Sequence, residues 1–439
     1  MEILFVHPNF PGQFKLLANA LCGMAEHQVF SLRDGAWKDE VELSGLTQWA
    51  YECPKKNSSD IHPYLLGADA AVRRAQAVAR FLQLKIQDGF DPDVIYVHPG
   101  WGDGLYLKDL FPFAKIIAIM EYYYQPRGAD VGFDKEFPMS FDDIFRVRTM
   151  NIVQQMSLES ADMHLCAFEW QKSRYPRAYQ SSIQVLHEGI DTQVIKPNTA
   201  AQVNLPEIEV VLSDMRWKIP AITLSNSDEV VTYVSRSLEP YRGFHTLVRS
   251  LPAILKNRPN CLVVILGKLQ PTYGPSPKTN TSWRNLYLEE IQGELTPEMI
   301  SRIHFLGTVS YEQYLQVLQI SSAHIYLTYP FVLSWSLLES MSCGSVVIAS
   351  KTAPVEEVIQ DCVEGLLVQF DDAKQVAEKV IEVLSSPDQF EHLRKNARQK
   401  IEKDYDFYNS VLPQHLNILD RCSSDQFDLS EFIDETASI

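Results

Sequence analysis

Short β-branched runs alternate with longer helical stretches over nearly the whole chain, and this alternation limits what it can fold into. The apolar runs are Ile3–Val6, Val94–His98, Ile116–Met120, His164–Ala167 and Ile183–Leu186, then Val230–Val234, Leu262–Leu266, Ile303–Leu306, His324–Leu327, Val346–Ala349 and Leu366–Val368. Helical patterns lie between them, as at Gln13–Met24, Ala68–Gln87, Phe244–Lys256, Tyr311–Ile320 and Ser334–Met341. Apolar strands alternating with helices fit parallel sheets covered on both faces. The two series are separated by 191–228, which carries Pro197, Pro206 and Pro220 and has no clean period. The pattern predicts an α/β chain of two doubly wound domains facing each other across a cleft. Domains are expected over 1–190 and 229–404, joined by an interdomain connection at 191–228 that is packed because it keeps Val210, Val211, Leu212 and Trp217. A C-terminal helix at 405–422 is expected to cross back to the N-terminal domain, before a loose acidic tail at 423–439.

Composition narrows the function. The 439 residues are 46% apolar and 22% charged, which suits a globular protein with real cores. A formal net charge of -17 argues against a nucleic-acid partner, which would need a basic stripe. Small anionic ligands stay open, since they need only a few local cations. Cysteines stand at 22, 53, 166, 261, 343, 362 and 422 with no C-x-x-C pair, which fits reduced thiols in a cytoplasm. The start Met-Glu-Ile-Leu-Phe-Val has no basic region, and Pro8 ends the run, so it reads as a strand and not a signal peptide. No stretch of about 18 apolar residues would span a membrane.

In open α/β sheets, ligands bind beyond the carboxyl ends of the strands, so the residues there are the candidates. His7-Pro8-Asn9-Phe10-Pro11-Gly12-Gln13 follows the first strand. Gly12 would let backbone approach a ligand at a helix N-terminus, though a plain turn needs the same residue. In Ser235–Gly243, Arg236 and Arg242 flank a tight loop. Such a pair suits a diphosphate, because arginine binds phosphate bidentately and stays charged; a surface loop with one arginine paired to Glu239 is the alternative. In Thr328–Gly344, Ser334 is a natural N-cap, leaving backbone N–H groups at 334–336 for a ligand. Glu339 then sits in an otherwise apolar helix. A buried carboxylate needs partners, either ribose hydroxyls or a neighbouring backbone N–H. Asp91-Pro92-Asp93 imitates a metal-binding triplet but precedes its strand, so no metal site is assigned there. The run Arg73-Arg74…Arg80…Lys85, at helical spacing, reads as a solvated face before it reads as a lipid-binding one.

The order Ser-Arg…Arg-Gly, Ile-Leu-Gly-Lys (265–268), His-Phe-Leu-Gly-Thr-Val (304–309), Leu-Leu-Glu-Ser-Met-Ser-Cys-Gly (337–344), Val-Glu-Glu-Val-Ile-Gln-Asp (355–361) and Glu-Gly-Leu-Leu-Val (364–368) resembles the group 1 (family 4) retaining glycosyltransferases of GT-B fold. Val185–Asp191 is similar to that family's linker motif. The resemblance implies that Arg236 and Arg242 hold the donor diphosphate, although their gap is one residue longer than usual and Arg242 stands where a lysine is common. It implies that Glu339 binds the ribose, that Thr308 and Val309 border the base, and that Gly12 lies near the diphosphate. Eight positions before Glu339, where the family has a sugar-contacting glutamate, this chain has Phe331. Contacts to the sugar are therefore expected from the backbone of Val332, Leu333 and Ser334, with Trp335 beginning the helix. Glu121 holds the place of the family's N-domain histidine, and His98 is the nearest histidine, so these two are the catalytic candidates.

The expected function is transfer of a hexosyl group, glucose by family frequency, from a UDP-sugar to a polysaccharide or lipid-linked sugar acceptor. Configuration is retained and neither metal nor other cofactor is needed. The expected location is cytoplasmic, with peripheral contact at the inner face of a membrane as a further partner. A non-catalytic nucleotide-sugar-binding protein and a GT-B sugar-nucleotide epimerase are the alternatives.

Overall fold

The computed structural model describes residues 1–37, 42–54, 60–212, 216–278 and 281–423. It divides into two compact units: Met1–Gly189 with the chain from Phe407 on, and Ile190–Asp406.

The first unit is built on seven parallel strands: β1 Glu2–Val6, β2 Gln28–Asp34, β3 Leu46–Tyr51, β4 Val94–Val97, β5 Lys115–Ile119, β6 Met163–Cys166 and β7 Ile183–Val185. Their order is β3-β2-β1-β4-β5-β6-β7. The sequence pattern shows β1 and β4–β7 but not β2 or β3. Gln28, Ser31, Arg33 and Asp34 break the apolar run of β2, and β3 is a half-exposed edge strand. From β1 the chain winds outward to β3, then returns to lay β4 on the other side of β1. That reversal opens the sheet's ligand-binding crevice beyond the ends of β1 and β4. The helix Leu412–Ser423 belongs to this unit. Its Ile418 and Leu419, with Phe407 and Val411, share a core with Ile3, Phe5 and Tyr96. His415 faces the Tyr96 hydroxyl at 3.3 Å, and burial lowers its pKa to about 4. From residue 424 on, the acidic tail lies outside the described residues.

The second unit holds a six-stranded parallel sheet: β12 Val230–Ser237, β13 Leu262–Lys268, β14 Ile303–Gly307, β15 Ala323–Tyr326, β16 Val346–Ser350 and β17 Leu366–Val368. The order β14-β13-β12-β15-β16-β17 repeats the reversal, here between β12 and β15. Residues 191–228, expected as an interdomain connection, are instead part of this unit. They form β8 Gln202–Leu205, β9 Ile208–Val211, β10 Arg216–Ile219 and β11 Ile222–Ser225, with β8 pairing β11 and β9 pairing β10. Pro206 and Pro220 stand at the two junctions between these ladders. Proline has no N–H to donate, so it breaks the ladder into two short pieces and hides the period-2 pattern. Val203, Leu205 and Leu224 pack in one core with Val230 and Leu266 of the parallel sheet.

The β12 turn depends on one glycine. Gly243 has φ +67°, and a Cβ there would lie 2.3 Å from Leu327 Cβ. A left-handed alanine costs about 1–2 kcal/mol, and overpacking a tight site adds about as much. Gly243→Ala is expected to destabilise the second unit by about 3 kcal/mol in urea unfolding. An unchanged midpoint would show that the turn relaxes freely.

Candidate functional site

In the first unit, the polar groups gather where β1 and β4 end. His7 follows β1 and His98 follows β4; both are buried, with ring centroids 5.3 Å apart. Asn9 N–H donates to His7 Nδ1 at 3.2 Å, which leaves the proton on Nε2, 3.0 Å from Gln13 Oε1. Gln13 Nε2 in turn donates to Glu121 Oε1 at 3.3 Å. His98 Nε2 approaches the other oxygen, Oε2, at 3.3 Å. Burial, with the nearby charge of His98, lowers the His7 pKa to about 3 and keeps that ring neutral. Burial would lower His98 as well, but the approach and charge of Glu121, with Asp103 and Glu188, outweigh it and its pKa is raised. Glu121 remains the accessible member, its side chain 42% exposed. The structure thus brings the two catalytic candidates together, as an imidazole–carboxylate pair.

Gly12 lies in the same cluster. Its φ is +46°, and a Cβ there would fall 2.6 Å from His7 Nε2. The glycine makes room for a histidine ring, a requirement that exists without any ligand. His7 and Gln13 were not singled out in the sequence, because one histidine and one glutamine have no signature until the fold joins them to Glu121.

Arg74 corrects the solvated-face reading of Arg73–Lys85. Arg73 does pair with Asp69 along its own helix, Leu66–Gln87. Arg74 turns inward, 3.1 Å from both Asp34 Oδ2 and the Tyr51 hydroxyl. These groups end β2 and β3, the strands the sequence pattern hid. Asp93 of the rejected metal triplet accepts from the backbone N–H of Glu2 at 2.7 Å, before the strands begin.

In the second unit the cations divide into two kinds. Arg236, at the end of β12, is exposed and makes no hydrogen bond or ion pair among the described residues. Lys268 ends β13 in register with Ser237, and it too is exposed and without a side-chain partner among the described residues. Lys268 closes the Ile-Leu-Gly-Lys run, and its place at the end of a strand is the signal in the sequence that marks it. Arg242 differs. It is buried, and its guanidinium donates to Thr328 Oγ1 at 2.7 Å and to the Val332 carbonyl at 3.1 Å. The same group lies 5.0 Å from the Tyr273 ring centroid and 5.8 Å from that of Phe331. Arg242 therefore braces the loop after β15.

Phe331 belongs to that packing. Its ring meets Tyr241 at 5.0 Å and Tyr273 at 5.4 Å, and it is buried. The ring at 331 thus completes an aromatic cluster around the Arg242 guanidinium. Val332 is half-buried and Leu333 buried. Ser334 does not cap the helix Trp335–Ser342 through its side chain, which bonds Ser336 Oγ instead. Its N–H donates to the Tyr326 hydroxyl at 2.9 Å, so it is not available as the sequence reading assumed. The amides of exposed Trp335 and buried Ser336 begin the helix with no partner among the described residues. Thr308 is exposed just past β14, and Val309 packs into the core.

Two carboxylates have partners the sequence did not reveal. Glu339 is buried and accepts from the Tyr311 hydroxyl at 2.7 Å and from the Tyr314 hydroxyl. Burial and the carboxylate push both phenols up, so they act as donors. These tyrosines replace the backbone N–H partner that the sequence reading allowed. Glu239 pairs with no arginine among the described residues. It is fully buried and accepts the backbone N–H groups of Thr272, Tyr273 and Gly274 at 3.1, 3.2 and 2.8 Å.

Residues 25–195 match the family model described as Glycosyl transferase family 4 group, and residues 215–400 match Glycosyl transferases group 1. Spore coat protein SA of Bacillus subtilis is 23% identical over 236 residues, 53% of this chain and 57% of that protein. An uncharacterized glycosyltransferase of Methanocaldococcus jannaschii is 26% identical over 110 residues, 25% of this chain and 28% of that one. The matches thus span about half or less of these relatives' length. Among solved structures, Anabaena HepE in complex with UDP-glucose superposes with TM-score 0.65 at 16% identity, covering 96% of this chain and 99% of that one. Sucrose-phosphate synthase from Thermosynechococcus elongatus gives TM-score 0.69 at 17% identity, covering 96% and 98%. The chain belongs to the group 1 glycosyltransferases, and its two parallel-sheet, Rossmann-like domains are those of the GT-B fold. No helix among the described residues is long and apolar enough to cross a membrane.

Glu239 gives the site its most direct test. Glu239→Ala removes the acceptor of three amides and is expected to speed hydrogen exchange at 272–274 by at least about tenfold, since a lost bond to a charged acceptor is worth about 1.5–3 kcal/mol. Exchange unchanged there would mean that the loop is held by its aromatic packing alone.

Proposed function

We propose that this chain transfers a hexosyl group, glucose as the first choice, from a UDP-sugar to a polysaccharide or lipid-linked sugar acceptor. Transfer proceeds with retention and without a metal ion, in the cytoplasm. The observation that carries the reading is the pair of exposed cations at the strand ends beside the β12/β15 reversal, Arg236 and Lys268, which have no side-chain partner among the described residues. A leaving diphosphate gathers negative charge as the sugar takes on oxocarbenium character. Fixed cations aimed at that charge stabilise the transition state without reorganising. The amides of Trp335 and Ser336 add partial positive charge at a helix N-terminus. Glu339, oriented by two tyrosines, is assigned the ribose hydroxyls in this reading.

Arg242 supports the diphosphate indirectly in this reading, by fixing the 328–332 loop. Glu121 and His98 are assigned the chemistry on the sugar and acceptor, with Glu121 the accessible base or hydroxyl ligand. The UDP-glucose complex of Anabaena HepE, a GT-B relative in fold, supports the donor class. Phe331 supports the second reading, a nucleotide-sugar-binding protein without turnover.

UDP is expected to raise the melting temperature, because a ligand of the folded state stabilises it by mass action. Arg236→Ala should remove most of that shift. Glu121→Gln and His98→Ala should keep it while losing turnover by about 10²-fold or more. A normal UDP shift in Arg236→Ala would refute the diphosphate assignment. Normal turnover in both of the other variants would refute theirs.

A further inference from the structure

A chain of donors runs toward one oxygen of Glu121, and it starts from a backbone amide. Asn9 N–H donates to His7 Nδ1 at 3.2 Å, which leaves the His7 proton on Nε2. Nε2 lies 3.0 Å from Gln13 Oε1, so Gln13 faces the ring with its oxygen and turns its NH2 group away. That group donates to Glu121 Oε1 at 3.3 Å. A backbone N–H can only donate, so the chain runs in one direction. Burial, with the charge of His98, lowers the His7 pKa to about 3, and the ring keeps this tautomer through the neutral range.

The segment after β1 holds these groups in place. Gln13 sits in the short helical turn Gly12–Phe14. Phe14 anchors that turn: its buried ring lies 5.2 Å from Phe5 and meets the His7 ring edge-on at 5.9 Å. At Gly12 a Cβ would fall against His7 Nε2, the atom that bonds Gln13, so only glycine leaves the link intact. Across the site, Gln171 of the helix Glu169–Arg174 is buried and donates to the Glu121 carbonyl, which fixes the backbone of Glu121. His98 Nε2 stands 3.3 Å from the other carboxylate oxygen, Oε2. One oxygen is thus met by a neutral donor whose state does not change, and the other by an imidazole that can gain or lose a proton.

We propose that Gln13 is a positioning residue for Glu121: its amide, oriented by His7, holds one carboxylate oxygen while His98 stands at the other, so that Glu121 meets its substrate as an anion in one orientation. The proposal rests on the reading of Glu121 as a working group of the transferase. An acceptor hydroxyl presents its proton along one line, and a carboxylate free to rotate would be misaligned for part of the time. A donor to the anion also opposes protonation of Glu121.

The test follows the Glu121 carboxyl carbon by NMR titration of the full chain with labelled glutamate, the resonance being assigned by its loss in Glu121→Gln. Gln13→Leu keeps the size of the side chain but removes the donor, and should move the Glu121 titration midpoint up, by as much as about one unit for a bond to a charged acceptor. His7→Leu frees the Gln13 amide to turn over, and should move the same midpoint up by less. In Gln13→Leu the UDP thermal shift and the donor KM should stay those of the parent, while kcat falls about tenfold or more through lost alignment. A Glu121 curve in Gln13→Leu that coincides with the parent, in a protein that melts normally, overturns the proposal, and so does a raised midpoint with full kcat. If that variant does not fold, a coincident curve in His7→Leu overturns it instead. A raised midpoint in a chain whose parent shows no turnover supports the Gln13–Glu121 link and counts against the transferase reading.

Discussion

A parallel strand with helices on both faces can carry charge only where it ends. In both units the interior positions of the central strands are buried and mostly apolar, as in β4 and β16, with Thr232 and His324 as buried polar exceptions that bond each other, so the charged candidates stand at the carboxyl edge. The order of the strands then selects where on that edge. Winding outward from β1 and then returning to β4 leaves the ends of those two strands without a crossing connection above them. His7 and His98 stand there. The same reversal between β12 and β15 places Arg236 beside the strand that leads to Thr328.

The two edges are different electrostatic objects. In the first unit the charged groups satisfy one another: Arg74 with Asp34, His98 with Glu121, and His7 through Gln13 to the same carboxylate. Such a network fixes geometry and protonation state but has little unspent charge for an anion. In the second unit Arg236 and Lys268 have no side-chain partner among the described residues, whereas Glu339 and Glu239 are occupied by tyrosine hydroxyls and backbone amides. Such cations on a chain with net charge -17 are a local exception to its overall field.

Much of this was legible in the sequence because the relevant residues follow strands whose apolar runs are unbroken. The ends of β1, β4, β5, β12 and β15 could be found, and with them His98, Glu121, Arg236 and Glu339. β2 and β3 could not, because their polar positions hide the period, and so Asp34, Tyr51 and the inward turn of Arg74 stayed invisible. The same cause hid β8–β11, whose ladders are cut by Pro206 and Pro220. Partners of buried carboxylates were the other blind spot. The sequence offers Glu239 an arginine and Glu339 a ribose or a neighbouring backbone N–H, because the groups that satisfy them come from segments 25 to 35 residues away. Arg242 suits a phosphate by type and position; its bonds to Thr328 and Val332 and its place over the Tyr273 and Phe331 rings, which the sequence does not show, make it also a brace for the loop.

The central claim is that fixed side-chain cations, in place of a metal, draw the diphosphate away from the sugar. Release of UDP from UDP-glucose by the metal-stripped chain in excess EDTA, with and without candidate sugar acceptors, tests it most directly. The account requires release to continue in EDTA and to depend on Arg236. Release that stops in EDTA and returns with manganese, with Arg236→Ala behaving like the parent, would contradict it.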